Sequence, residues 1–299
     1  MGIDTRPAIE SLYHYSCEFD AVNVIARFWN REAAPHPDLA TNFLGTRIPP
    51  KVHPPKLNAL RGRVEPPPNP GNWHADIAEW AAALRAVRQS TDTFRIIELG
   101  CGWGCWLTNT GVAARAIGRR VDLIGVEGNH LHLGNAEETL RLNDFGPEDF
   151  TLFHGIAGPR EGKALFPSPD AEKTIWNGEA VFYPDEATLK RAEGDPAVQV
   201  LDCYPLARLS DGQRVDLLHI DIQGAETDYV AGNFEGIDRL VARVLIGTHS
   251  RSIEGQLMDR FLSAGWRLEM ERPALTPIKA GKPRTTIDGV QMWANPALT

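Results

Sequence analysis

Residues 95–104 read Arg-Ile-Ile-Glu-Leu-Gly-Cys-Gly-Trp-Gly, and residues 121–129 read Val-Asp-Leu-Ile-Gly-Val-Glu-Gly-Asn. Each stretch is a short β-run that ends in a glycine-bearing turn, and a helical pattern follows it. Glycine lets a backbone turn tightly and lets a ligand approach without a side-chain clash. The helix after the first turn offers free N–H groups to a negatively charged group. The two stretches therefore predict parallel strands with a ligand site at their carboxyl ends.

The alternation of strands and helices continues through the rest of the chain. Further β-runs occur at 150–153, 215–220 and 240–246, and helical patterns follow the last two of them. This alternation predicts an α/β fold whose mostly parallel sheet is covered on both faces. The last two runs, 266–270 and 289–293, have no helix between them, so they predict a hairpin with an antiparallel last strand. The predicted fold is therefore a Rossmann-like sheet of seven strands.

Residues 1–70 predict an arm that precedes the domain formed by residues 71–299. Apolar side chains recur every three or four residues from Ile9 to Glu32, which predicts a helix with one apolar face. The proline-dense stretch that follows predicts neither helix nor central strand, because proline removes donors and fixes φ. The apolar surface of the arm must be covered, either by a second copy of the chain or by the mouth of the ligand pocket. We favour a homodimer.

Composition limits the classes of partner that the protein can have and its cellular location. A net charge of -8 argues against nucleic acid, because phosphate backbones are held by an excess of Lys and Arg. Four cysteines are too few for a disulfide framework in a chain of 299 residues. The N-terminus lacks the apolar core of a signal peptide, and no apolar run approaches membrane-spanning length. We therefore predict a cytoplasmic protein that does not interact with membranes.

The first glycine turn differs from that of dinucleotide-binding proteins. Cys105 stands where their fingerprint has its third glycine, which disfavours a nucleotide- or NAD-binding oxidoreductase. Glu127 follows at the tip of the second strand, where an acidic residue can accept hydrogen bonds from both ribose hydroxyls. This position predicts an adenosine ligand without a 2′-phosphate. The alternative is that Glu127 only complements the dipole of the next helix.

Two further polar residues end neighbouring strands at the same edge. Asp221 ends the strand of residues 215–220, and His249 follows the strand of residues 240–246. A histidine can take a proton from a hydroxyl group near neutral pH, so we predict His249 as the base. Asp221 would orient the other reactant or fix the tautomer of His249. The alternative places His249 in a loop with hydrogen bonds to backbone only, while His219 is predicted to be a packed core residue.

These motifs resemble those of the FkbM family of S-adenosylmethionine-dependent methyltransferases. The matching segments are 98–104, 198–200, 206–209, 215–226 and 246–249, together with Glu127. Gln223 and the Gly-Thr pair before His249 differ from the residues usual in that family. The resemblance implies the class I methyltransferase fold over residues 94–295. It also implies S-adenosylmethionine as the cofactor and O-methylation of a small molecule such as a sugar, a polyketide or another secondary metabolite.

The predicted site follows from the motifs and the resemblance together. The catalytic residues are His249 and Asp221. The predicted cofactor-binding residues are Glu98, Gly100, Cys101, Gly102, Gly104, Glu127, Gly128, His154, Gly155 and Asp221. Asp221 and Glu226 could also bind Mg²⁺, but two carboxylates near a strand end do not establish a metal site. Methylation of an amine or peptide, and a catalytically silent cofactor-binding protein, remain alternatives.

A long irregular stretch, residues 158–196, interrupts the alternation. Loops of this length in a compact domain are usually lids or binding loops. We predict that Phe166, Trp176 and Phe182 supply apolar surface near the acceptor pocket. The alternative is that they pack this stretch onto the edge of the sheet.

Overall fold

The computed structural model describes residues 14–169 and 178–299. In chain order its strands are β1 (Ser16–Cys17), β2 (Ala40–Thr41), β3 (Arg47–Ile48), β4 (Thr93–Leu99), β5 (Arg120–Glu127), β6 (Phe150–His154), β7 (Ile156–Ala157), β8 (Gly162–Pro167), β9 (Val181–Phe182), β10 (Val198–Tyr204), β11 (Leu217–Ile220), β12 (Arg243–Thr248), β13 (Arg267–Arg272), β14 (Ile278–Lys279), β15 (Lys282–Pro283) and β16 (Gly289–Ala294). The helices are α1 (Ala21–Phe28), α2 (Pro54–Leu57), α3 (Ile77–Gln89), α4 (Cys105–Ala116), α5 (His130–Leu142), α6 (Glu186–Ala192), α7 (Leu206–Ser210), α8 (Glu226–Leu240) and α9 (Arg251–Ser263).

The main sheet has the order β1-β13-β16-β12-β11-β4-β5-β6. Strands β6, β5, β4, β11 and β12 are parallel, and β16 runs antiparallel to both β12 and β13. The predicted Rossmann-like fold with an antiparallel last strand is confirmed. The sequence predicted seven strands, but the sheet has eight. The additional strand is β1 of the arm, which pairs antiparallel with β13.

Helices cover both faces of the sheet because successive residues of a strand point to opposite sides. On β4, Ile96 belongs to the hydrophobic cluster that also contains Trp80 of α3 and Leu107 of α4. The next residue, Ile97, belongs to the cluster on the other face, with Tyr229 of α8. The carboxyl ends of the parallel strands therefore lie together at one edge, between two packed layers.

The predicted helix over residues 9–32 is shorter in the structure, at both ends of its described part. Residues 1–13 lie outside the described residues, Ser16–Cys17 is a strand, and the helix covers only Ala21–Phe28. Asp20 starts the helix there, because its side chain accepts a hydrogen bond from the backbone N–H of Asn23 at 2.8 Å.

The proline-dense stretch also differs from its prediction, because it contains the short helix Pro54–Leu57. Both prolines lie in the first turn, where a missing N–H costs no intrahelical hydrogen bond. Proline therefore begins a helix here although it would interrupt one further along.

Much of the apolar surface in the described part of the arm is covered by the chain itself, although Val22 and Trp29 are exposed. Val24, Ile25, Phe28 and Phe43 are buried in the same hydrophobic cluster as Trp80 of α3. The Phe43 and Trp80 rings meet edge to face, with their centroids 5.0 Å apart. These side chains therefore need no second copy of the chain to cover them, and the homodimer and the boundary at residue 70 stay predictions.

The stretch predicted to be irregular, residues 158–196, contributes to a second sheet. Its order is β7-β10-β8-β9, with β10 pairing along β8 over six residue pairs. This sheet stands beside the main one and follows β6 directly through Gly155. Among the described helices, none combines the length and the apolar character that a membrane span requires.

Candidate functional site

The glycine turn after β4 lies against the end of β11. Gly100, Gly102 and Gly104 have positive φ angles of 70°, 53° and 73°, which residues with a Cβ rarely adopt. A Cβ on Gly100 would lie 2.1 Å from the backbone oxygen of Asp221. The bare backbone of Gly100 and Gly102 therefore forms part of the wall of a cavity.

This cavity has a volume of about 630 Å³ and lies at the carboxyl ends of β4, β5 and β11. Most of the predicted cofactor-binding residues line it: Glu98, Gly100, Cys101, Gly102, Glu127, Gly128, Gly155 and Asp221. With Glu179 and Asp228, five carboxyl groups line the wall, and its described residues include no Lys or Arg. The charge of the cavity therefore suits a cationic or neutral ligand.

Glu127 connects the glycine turn to the end of β5. One carboxylate oxygen accepts a hydrogen bond from the Gly102 N–H at 2.8 Å, and the other accepts one from the Asn129 N–H at 2.8 Å. The side chain is buried, and burial raises its pKa although these hydrogen bonds lower it. Glu127 thus fixes the shape of the turn and also lines the cavity.

Glu98 has a structural role as well as a place at the cavity. Its carboxylate oxygens accept hydrogen bonds from the N–H groups of Trp106 and Leu107, at 3.2 and 2.9 Å, in the first turn of α4. Burial raises the pKa of Glu98 to about 8. An isolated negative charge is therefore unfavourable at this position, and a bound cation would relieve it.

Two of the predicted cofactor-binding residues do not line the cavity. A Cβ on Gly104 would meet Ala136 of α5 at 3.1 Å, so this glycine serves the packing of α4 against α5. His154 is exposed, and its Nε2 lies 3.1 Å from the backbone oxygen of Gly128. It contacts the loop that carries Gly128 without reaching the cavity.

The second sheet supplies another part of the wall. Phe166 of β8 and Phe182 of β9 both line the cavity. A Cβ on Gly128 would lie 2.9 Å from Phe166 Cε1, so this ring covers the residue that follows Glu127. Phe166 therefore contributes apolar surface on the Glu127 side of the cavity, and Trp176 lies outside the described residues.

Asp221, His249 and Glu226 form a chain of contacts behind the cavity. His249 Nδ1 lies 2.9 Å from Glu226 Oε1, and His249 Nε2 lies 3.3 Å from Asp221 Oδ1. Burial alone lowers the pKa of His249, but the hydrogen bond with Glu226 and the nearby carboxylates raise it to about 9. Asp221 lines the cavity and is 46% exposed, whereas His249 is not part of the lining.

Glu226 holds the loop between β11 and α8. Its Oε1 accepts hydrogen bonds from the N–H groups of Ile222 and Gly224, at 3.1 and 3.0 Å. Its Oε2 is buried and has no hydrogen-bond partner among the described residues. One ligand atom each from Asp221, Glu226 and His249 lie within 4.8 Å of one another, so the three side chains could hold a divalent cation.

One wall of the cavity is formed by residues that the sequence did not predict to be part of the site. This wall consists of His74, Trp103, Cys105, Trp106 and His219. His219 is 6% exposed, as predicted for a core residue, but it also faces the cavity because it pairs in register with Glu98. Nothing in the sequence near His74 indicated that the segment before α3 reaches this site.

A protein of Jannaschia sp. (strain CCS1) that is named as a methyltransferase is 50% identical to this chain. The match spans 266 residues, which are 89% of this chain and 95% of that protein. The chain belongs to the methyltransferase family. This confirms the predicted family and enzyme class. No protein-family model matches the chain.

Solved methyltransferase structures are also similar to the chain. Methyltransferase FkbM from Methylobacillus flagellatus KT is 12% identical, with a TM-score of 0.45, over 73% of this chain and 54% of that one. The chain described here therefore spans about half the length of that FkbM protein. Precorrin-6y C5,15-methyltransferase from Geobacter metallireducens GS-15 is 12% identical, with a TM-score of 0.39, over 74% and 88% of the two chains. Neither likeness bears on the acceptor.

Proposed function

We propose that this methyltransferase uses S-adenosylmethionine to methylate a hydroxyl group of a small molecule, such as a sugar, a polyketide or another secondary metabolite. The observation that carries the proposal is the position of Glu127. Its carboxylate lines the cavity at the end of β5 and is hydrogen-bonded to the glycine turn of the neighbouring strand. A carboxylate there suits the two hydroxyls of a ribose without a 2′-phosphate.

The walls on either side of Glu127 fit the rest of the cofactor. Gly128, Ile156 and Phe166 provide an apolar side for an adenine ring, and the bare backbone of Gly100 and Gly102 lets the ligand pass closely. The cofactor supplies a methyl group on a sulfonium centre, which the acceptor oxygen attacks while the sulfur leaves with the bonding electrons. The chain then has to orient the acceptor and remove its proton.

We assign the proton acceptor to Asp221 and a positioning role to His249. This reverses the roles expected from the sequence, because Asp221 lines the cavity while both ring nitrogens of His249 face carboxylates. Partial burial raises the pKa of Asp221, which makes it a better base than an ordinary aspartate. His249, held by Glu226, fixes the orientation of the Asp221 carboxylate.

The charge of the cavity supports a neutral acceptor and also fits a cationic one. Because carboxylates line the wall without a described Lys or Arg, a phosphate group would find no counter-charge there. We therefore do not propose nucleic acid as the acceptor. Methylation of an amine is the second candidate, since an ammonium group also suits carboxylates. The cytoplasmic location stays a prediction from the sequence.

A divalent cation is a second candidate role for the Asp221, Glu226 and His249 cluster. The free Oε2 of Glu226 and the close approach of the three side chains favour it. Two carboxylates with one imidazole suit Mn²⁺, Fe²⁺ or Zn²⁺ better than Mg²⁺, the ion that the sequence left open, because Mg²⁺ prefers oxygen ligands. Loss of activity in EDTA and its return with one of these ions would assign the cluster to the metal. Full activity in EDTA would show that the cluster serves proton transfer and does not need a metal.

Methyl transfer itself is tested with S-adenosylmethionine that carries a labelled methyl group. The purified protein is incubated with this cofactor and a metabolite extract, and labelled products are identified by mass spectrometry. We expect a labelled methyl ether together with S-adenosylhomocysteine. A labelled amine would favour the second candidate, and cofactor binding without any labelled product would favour a catalytically silent protein.

A further inference from the structure

Gln223 lines the cavity just after β11, and its backbone is strained. Its φ is 57°, in the left-handed region that residues with a Cβ rarely adopt. Glu226 holds it there, because its Oε1 accepts hydrogen bonds from the N–H groups on both sides of Gln223, those of Ile222 and Gly224. Strained backbone persists only where its surroundings hold it, and it concentrates at functional sites. The strain therefore directs attention to what the Gln223 side chain does.

The side chain of Gln223 reaches the carboxylate of Asp221. Its Nε2 lies 3.4 Å from Asp221 Oδ1, the oxygen that His249 Nε2 also approaches, at 3.3 Å. An ionised carboxylate only accepts hydrogen bonds, so the amide nitrogen is the atom that faces it. That nitrogen carries a second N–H, which has no partner among the described residues. The second N–H is therefore available to a molecule in the cavity, and Oδ2 of Asp221 is left to take a proton.

An acceptor oxygen and an acceptor nitrogen differ in how they can use this N–H. A hydroxyl oxygen has two lone pairs, so one can attack the methyl group while the other accepts a hydrogen bond from Gln223. A neutral amine nitrogen has a single lone pair. Because that lone pair must attack the methyl group, the amine cannot accept the hydrogen bond at the same time. A donor at this position therefore favours oxygen.

We propose that Gln223 selects a hydroxyl over an amine as the methyl acceptor, by donating a hydrogen bond from Nε2 to the acceptor oxygen. That oxygen forms the new C–O bond with one lone pair and gives its proton to Asp221 Oδ2. The C–S bond of the cofactor breaks, and its electrons stay on sulfur. This inference rests on the proposed function, and it names the residue that decides between the two candidate acceptors.

The selection is tested with methyl-labelled S-adenosylmethionine and a metabolite extract, and the readout is the ratio of labelled methyl ethers to labelled methylamines. Gln223→Glu replaces the donor by a carboxylate of nearly the same shape, which can accept from an amine. We expect its yield of methyl ethers to fall at least about tenfold, as for the loss of one hydrogen bond in the transition state. Its share of methylamines should rise. S-adenosylhomocysteine should still bind, because Gln223 acts on the acceptor.

Gln223→Gly separates selection from a purely structural role. It removes the donor and relieves the positive φ, so the variant should unfold at an equal or higher urea concentration while it loses ether formation. Ala280→Gly is the matched control, because Ala280 also has a positive φ, of 50°, in an exposed hairpin turn. This control should be as stable as the wild type or more so, and it should keep full turnover.

An unchanged ratio of ethers to amines in Gln223→Glu, or full ether formation in Gln223→Gly, would overturn the assignment. A Gln223→Gly variant that loses stability and turnover together would show a structural role and overturn it as well. A wild-type protein that yields no labelled methyl ether would instead refute the proposed function, which separates the two failures.

Discussion

Three carboxyl groups at the site lie at positions that raise their pKa: Glu98 and Glu127 are buried, and Asp221 is partly buried. Glu98, Glu127 and Asp221 all have raised pKa values, and burial is the largest cause for each. Such positions weaken the folded protein but prepare it for a cationic ligand, because a bound positive charge stabilises each carboxylate. The residues that define the site are therefore also those whose protonation is coupled to binding.

We expect Glu127→Ala to weaken S-adenosylmethionine binding by roughly 1.5–3 kcal/mol, because it removes hydrogen bonds to a charged group. Glu127→Gln can still accept from the Gly102 N–H, so it should lose less. Isothermal titration calorimetry measures both. Glu137→Gln, on the exposed face of α5 and paired with Arg141, is the control and should bind normally. Unchanged affinity in a folded Glu127→Ala variant would remove this residue from the site.

Glu98 predicts a pH dependence of stability. Its pKa is about 8 in the folded protein and near 4.5 in the unfolded chain, so the unfolded chain loses its proton first as pH rises. The free energy of unfolding should fall between about pH 5 and pH 8, by an amount on the order of a few kcal/mol. Urea unfolding at several pH values measures this. Glu98→Gln should flatten the curve, and a curve identical to that of the wild type would contradict the raised pKa.

Replacement of Asp221 and replacement of His249 should lower kcat in different ways. We expect Asp221→Asn to lower kcat by roughly 10²–10⁴, the range for general-base assistance. His249→Gln should also lower kcat, but it leaves the carboxylate in place, so its rate should recover as pH rises. Cofactor affinity should stay nearly unchanged in His249→Gln. A His249→Gln enzyme with full turnover at neutral pH would contradict its positioning role.

At the scale of elements, helix α1 depends on its first residue and on its buried face. Asp20 caps it, and Val24 and Phe28 pack into the main cluster. Asp20→Ala should lower the free energy of unfolding by about 1 kcal/mol, as for other N-cap replacements. Asp38→Ala is the control, because its exposed ion pair with Arg61 should contribute little. Equal stability of the two variants, measured by thermal unfolding, would contradict the capping role.

The sequence predicts elements well where their pattern is local. The strands at 95–99 and 121–126 carry their own glycine turns, and the structure has them at Thr93–Leu99 and Arg120–Glu127. Strand β1 has two residues, too few for a period-two pattern, and its partner β13 lies about 250 residues away in sequence. Likewise, β8 reads as irregular because its pairing with β10 crosses a long excursion.

In the site, too, features that depend on local sequence are predicted, and contacts between distant segments are not. Glu127 and the glycine turn are predicted because each lies next to a strand end, and position on the strand determines position at the edge. Contacts between distant segments are what the sequence does not contain: His74 reaches Cys105, and Glu226 holds His249. The expected role of His249 as the base stays a prediction, and its two carboxylate neighbours, Glu226 and Asp221, are contacts that the sequence does not contain.

At the scale of the whole molecule, the arm and the sheet share one hydrophobic cluster. Ile25, Phe28, Phe43 and Leu57 from the arm are buried together with residues of α3, α4 and the strands. A boundary at residue 70 that separated two independent units would leave these side chains without cover. The packing therefore ties the stability of the site to residues far from it, including the segment that carries His74.

We accordingly expect the full chain to unfold in a single transition, because segments that share a core lose it together. Differential scanning calorimetry should give one peak whose calorimetric and van't Hoff enthalpies agree, and saturating S-adenosylhomocysteine should shift that peak to higher temperature as a whole. A chain that begins at residue 71 should be much less stable, since the arm's face of α3 would be exposed. Two separate peaks, with only the later one moved by the ligand, would instead establish residues 1–70 as a unit that folds apart from the methyltransferase domain.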